Sequence, residues 1–169
     1  MGFVIALAAI IQNMAVSLGV GGSTIAVLNY FKALADDVIE DSERNFMDIT
    51  YWVLRVAMVL ILLSALVLGY QDYVQSGFSY FTPFVVATWS ILIILYLNAF
   101  LMSTHSITSA LGPAVQAASW YTLGTIYALV PLGLAGFTYL QFFVGYLASM
   151  LFAISLINGV MAHLKSKHS

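Results

Sequence analysis

Arg55 is the one charge set well inside an apolar run of this 169-residue chain. Holding an arginine at the centre of a bilayer costs about 2.5–3.5 kcal/mol on insertion scales. Arg55 stands only a few residues inside its run, so its stem can carry the guanidinium back to the headgroups. Asp48, two helical turns earlier on the same face, is placed to meet it. Two readings follow. One is an anchor or structural ion pair; the other is a cation facing the interior that binds an anionic substrate, a propionate or a headgroup.

The first apolar run carries the next candidates. Asn13, Ser17, Gly21 and Thr24 recur at helical spacing, with Gln12 beside them. Gln12 and Asn13 fall about 15 Å from the start of a helix, near the middle of a bilayer. Amides at that depth need partners. They serve either as glue between helices or as part of a polar path. Asn98, Gln116, Ser119, Thr122, Thr125 and Asn158 on later runs are expected to complete an interior network with them. Gly19-Val20-Gly21-Gly22-Ser23 is the natural weak point of the first run. If it unwinds, its free backbone groups make an ion or substrate site, as in broken-helix transporters.

His105, within Ser103-Thr104-His105-Ser106, and His163 are candidate haem or metal ligands, since both fall at one membrane face. Their spacing is not that of a metal motif. The acidic run Asp36, Asp37, Glu40, Asp41, Glu43 lacks the alternating ligands and central glycine of a calcium loop, and reads as a solvated face. The chain has no cysteine, which excludes disulfides, iron–sulfur clusters and thiol catalysis. Nucleophile triads, phosphate loops and paired intramembrane carboxylates are absent from the sequence.

These residues sit in a chain built for lipid. Hydrophobic residues make up 62% and charged residues 7%, with a mean hydropathy of +0.99. A soluble domain carries about 25% charged residues and could not cover its surface with so few. The fold expected is all-α: a single polytopic transmembrane bundle of five spans, near 2–31, 51–70, 79–102, 113–136 and 139–163, with a polar connector at 32–50. Pro113 suits the first turn of the fourth span, and Pro131 is expected to kink its exit. Five spans bring Lys32, Arg44, Arg55, Lys165 and Lys167 to one side, which the positive-inside rule makes cytoplasmic. The N-terminus is then outside and the C-terminus cytoplasmic, in the plasma membrane of a bacterium or archaeon. Tyr70, Tyr73, Phe78, Tyr80, Phe81, Phe137, Tyr139 and Phe142 cluster at the outer boundary. The expected partners are the lipid bilayer and a homo-oligomer or larger membrane complex. Five basic residues without a stripe give no footprint for nucleic acid.

The order of features has a family look. Gly21-Gly22 in the first span precede a polar connector; Arg55 opens a second span ending at Gly69; and His105 leads through Gly112-Pro113 to Trp120-Tyr121. This resembles the small integral membrane proteins related to the copper-resistance D protein and the HemJ-type protoporphyrinogen oxidase. The resemblance implies a helical bundle with haem- or metal-associated redox chemistry, and makes His105 the candidate ligand. Three functions stand open. They are a small transporter, channel or permease component with a polar interior path, a haem- or quinone-associated redox protein, and a non-enzymatic assembly subunit.

Overall fold

The computed structural model describes residues 2–35, 41–104, 106–107 and 111–168. Those residues form five helices and no strand: α1 Gly2–Ala35, α2 Asp41–Ser76, α3 Pro83–Ser103, α4 Leu111–Leu129 and α5 Tyr139–His168. A 3-10 turn, Gly77–Tyr80, links α2 to α3. Four stretches are long and apolar enough to cross a membrane: Gly2–Lys32, Arg44–Tyr80, Pro83–Ser103 and Tyr139–His163. At 1.5 Å per residue, α1 and α2 are roughly 50 Å long and outreach a hydrocarbon core of about 30 Å.

α4 is the more polar fifth helix, and the chain wraps it. Gly112, Ala114, Gln116, Ala117, Ala118, Ser119, Trp120, Leu123 and Ile126 are all buried. Packed against α1, α3 and α5, it meets protein where the other helices present apolar side chains outward. The expected helix over 113–136 is shorter at its far end. It stops at Leu129 because Pro131 has no N–H to continue the ladder, so the proline ends the helix rather than kinking it. The Gly133 N–H donates to the Val130 carbonyl and the Leu134 N–H to the Leu129 carbonyl, with Gly133 at φ 70°. That is the Schellman pattern, which places a left-handed residue just past the helix end.

The turn between α2 and α3 is held by specific residues. α2 runs on to Ser76, Gly77 reverses the chain at φ 56°, and Thr82 caps α3 by accepting the Val85 N–H through Oγ1, with Pro83 in the first helical position. Tyr80 OH accepts from Trp89 Nε1 at 3.0 Å, and Tyr139 OH donates to the Phe81 carbonyl at 2.7 Å. The start of α5 is thereby tied to the α2–α3 turn.

The interior holds small residues beside large ones such as Trp120, Ile61 and Leu95, while many large apolar side chains face out. Ala15, Ala57, Ala65, Ala87, Ala114 and Ser64 are buried, while Phe3, Ile10, Leu18, Leu63, Phe100 and Phe152 are exposed. Water would not leave so many large apolar side chains facing out, because burying them drives a soluble fold. Lipid removes that drive and leaves close packing of small residues to hold helices together. The pattern fits an integral membrane protein.

The glycine cluster follows the same logic and does not unwind. α1 is continuous through Gly19–Ser23, so the expected break and its free backbone groups are not formed. A Cβ on Gly19 would enter the six-membered ring of Trp120, which is fully buried. Gly124 brings α4 against Val20, where an added Cβ would stand 3.0 Å from Cγ2. The glycines make a close α1–α4 seam.

Candidate functional site

Between α1, α2, α3 and α4 lies a cavity of about 320 Å³. Its polar lining includes Arg55, Tyr51 and Gln116, and its apolar lining includes Ala26, Leu54, Met58, Ala99, Met102 and Pro113. Tyr51, Leu54, Arg55 and Met58 are one helical face, spaced i, i+3, i+4, i+7. Tyr51, Met58 and Met102 went unnoticed in the sequence, although that spacing around Arg55 was the signal for the first two.

Arg55 is exposed and forms no ion pair or hydrogen bond among the described residues. The expected pair with Asp48 is not made, and Asp48 is itself exposed. The two lie about 10 Å apart along the helix axis, beyond the i, i+4 reach at which charges pair. The guanidinium instead borders the cavity.

Gln116 is oriented by a chain of bonds. Asn98 Nδ2 donates to the Gly112 carbonyl at 2.9 Å and to Gln116 Oε1 at 3.2 Å. A carbonyl can only accept, so Asn98 must present its amide nitrogen there. Gln116 therefore turns its oxygen to Asn98, which leaves its Nε2 donors without a protein partner. Asn98 is 4% exposed and Gln116 9% exposed, so this α3–α4 link is an interior one. The Ser23 and Ser103 hydroxyls, also on the cavity wall, spend their protons on the Val20 and Phe100 carbonyls. Among the described residues no carboxylate lines the space.

The other expected polar residues do not join this group. Gln12 is buried without a hydrogen-bond partner among the described residues, whereas Asn13, the next residue, is exposed. Adjacent helical positions point about 100° apart, so one amide faces the bundle and the other faces out. Asn13 Nδ2 donates to the Ala9 carbonyl and Ser17 Oγ to the Asn13 carbonyl, both within α1. Thr24 Oγ1 meets Tyr121 OH at 2.6 Å. Asn13 and Ser17 thus face outward while Thr24 joins α1 to α4, and among the described residues the expected interior network joining Gln12 and Asn13 to the later spans is not formed. Ser119 pairs with Tyr146 OH at 2.7 Å and Thr122 with Ser149 at 3.1 Å, while Thr125 and Asn158 are exposed. His163 is exposed, and His105 lies outside the described residues. Among the described residues no three His, Asp or Glu side chains converge on a metal-sized site.

Beyond the cavity, toward the α2–α3 turn, the interior is packed. Ala15, Ile61, Ile91, Leu95, Leu123 and Trp120 belong to one apolar cluster and are fully buried. A second cavity, of about 350 Å³, lies between α4 and α5 and is lined by Tyr121, Thr125, Gln141 and Tyr146 among others. No known protein family matches the chain, nor does any curated protein or solved structure. The likeness to copper-resistance D and HemJ-type proteins therefore rests on the sequence features alone.

Proposed function

We propose that this chain is a five-span membrane protein, N-terminus outside and C-terminus cytoplasmic, that serves as a small carrier or permease component. The observation that carries the reading is the Arg55 cavity at one end of the bundle, with a buried apolar cluster packed on its side toward the α2–α3 turn. A pocket accessible from one end and sealed at the other is one state of an alternating-access carrier. Treating α4 as the fifth span is supported by its length, about 28 Å at 1.5 Å per residue, and by its burial among spans apolar enough for lipid. That count puts Lys32, Arg44 and Arg55 on the cytoplasmic side with the C-terminal lysines.

A cysteine-free chain makes the test direct. Single cysteines at Ser106 and Ser76 mark the two faces, and one at Ala26 marks the cavity. Right-side-out and inverted vesicles are treated with a membrane-impermeant maleimide. Ser106→Cys should react only from the cytoplasmic face and Ser76→Cys only from outside. Ala26→Cys should react from both faces if the cavity changes sides. Reaction of Ala26→Cys from the cytoplasmic face alone would overturn transport.

One observation favours a second reading, an assembly subunit or homo-oligomer. Asn13 and Ser17 face out of the bundle on a helix apolar enough for lipid, where a polar side chain gains from a partner helix. In that case Asn13→Leu changes the mass of the purified complex and leaves cavity labelling as it was.

A further inference from the structure

We infer that the cavity recognises an amphiphile with a single oxyanion head, a carboxylate or a phosphate monoester on an apolar body. The inference rests on the reading above only in needing the cavity to be open. Three donors line it without a protein acceptor: the Arg55 guanidinium, the Tyr51 hydroxyl and the Gln116 Nε2 amide. Gln116 is the decisive one, because it is about nine-tenths buried and its orientation is forced. The Gly112 carbonyl fixes Asn98, Asn98 takes the Gln116 oxygen, and only N–H groups are left to offer the ligand.

Such a set discriminates. A cation would meet the Arg55 charge, with no carboxylate among the described lining residues to receive it. An oxyanion accepts from all three, and arginine matches the planar geometry of carboxylate and phosphate oxygens. The remaining wall is apolar: Ala26, Leu54, Met58, Ala99 and Met102. Two methionines there suit a flexible chain, since their unbranched side chains adapt to irregular shapes. A volume near 320 Å³ takes a head and a short stretch of tail rather than a whole phospholipid.

The test uses the full chain carrying Ala26→Cys, in nanodiscs of phosphatidylcholine without anionic lipid. The rate of maleimide labelling is read with added dodecyl phosphate, laurate, dodecanol, dodecyltrimethylammonium or inorganic phosphate. Dodecyl phosphate and laurate are expected to slow labelling about ten- to a hundredfold, the worth of one or two charge-assisted hydrogen bonds. Dodecanol and the cation should leave it unchanged, and inorganic phosphate should act far more weakly than its dodecyl ester. Arg55→Gln, an exposed position, should abolish the protection. Gln116→Glu, which keeps an oxygen for Asn98 and replaces the free amide by an acceptor, should do the same. Equal protection by dodecanol would overturn anion recognition. Equal protection by inorganic phosphate would overturn the apolar body. Brisk labelling that no compound slows would overturn the ligand class while the cavity stands, whereas a cysteine that never labels would overturn the open cavity itself.

Discussion

Replacing Gly19 by alanine isolates the packing of the α1–α4 seam. In the middle of a helix, glycine to alanine gains about 1 kcal/mol from propensity wherever the new methyl is free. Gly21, two residues on, measures that gain, because a Cβ there meets nothing within 4 Å. At Gly19 the same methyl would enter the Trp120 ring. The indole is 0% exposed and has no space to retreat into, so the loss belongs at the upper end of the overpacking range, about 3 kcal/mol. Subtracting the shared propensity gain leaves Gly19→Ala destabilised by about 2 kcal/mol and Gly21→Ala stabilised by up to about 1 kcal/mol. Reversible unfolding in mixed micelles, titrated with dodecyl sulfate and followed by circular dichroism, reads both. Trp120→Leu should lower the cost of Gly19→Ala by more than about 1 kcal/mol in a double-mutant cycle, since the two groups are in contact. Equal stabilities for Gly19→Ala and Gly21→Ala would refute the seam.

Asn98→Leu leaves the Gly112 carbonyl and Gln116 Oε1 without their donor in the interior, and should cost about 1–2 kcal/mol by the same titration. Ser119→Ala removes the bond to Tyr146 that joins α4 to α5; its expected cost is about 0.6 kcal/mol, the mean for bonds between membrane helices. A loss beyond about 2 kcal/mol would mean that this serine carries more than that bond.

Much of the architecture was legible because span length and punctuation are strong signals in lipid. The four apolar helices and Pro113 in the first turn of α4 read directly. What could not be read was which way each helix faces. In a soluble protein the apolar stripe gives the answer, but along α1 both the buried Ala15 and the exposed Leu18 are apolar. Asn13, Ser17, Gly21 and Thr24 read as one stripe in the sequence, but tertiary packing turns Asn13 and Ser17 outward and brings Thr24 to Tyr121 on α4. The glycines posed a similar ambiguity. A run such as Gly19–Gly22 serves equally for a break and for close approach, and the Trp120 ring facing Gly19 decides it, from a hundred residues away. The Asn98–Gln116 link was invisible for the same reason, since each residue alone reads as one more intramembrane amide.

The seam also decides how a carrier built on this fold would have to work. α1 packs most closely on α2, and α4 joins α1, α3 and α5, while the α2 and α3 backbones stay further apart. Tyr96 OH donating to the Met58 carbonyl at 2.9 Å spans that gap at the level of the cavity. The Arg55 cavity lies at one end among these helices, with α1 and α2 on one side and α3 and α4 on the other. Toward the other end, the fully buried Ile61, Ile91 and Leu123 fill the space that a passage would need. Those side chains are too well packed to move aside singly, as dense interiors have two arrangements rather than a continuum. On the carrier reading, opening the far end would have α1 and α2 move together against α4, across the surface where Gly19 meets Trp120 and Gly124 meets Val20. There the Trp120 ring fills the notch left by Gly19, and Val20 that left by Gly124, so such a movement would have to break this fit, and Gly19→Ala perturbs it directly.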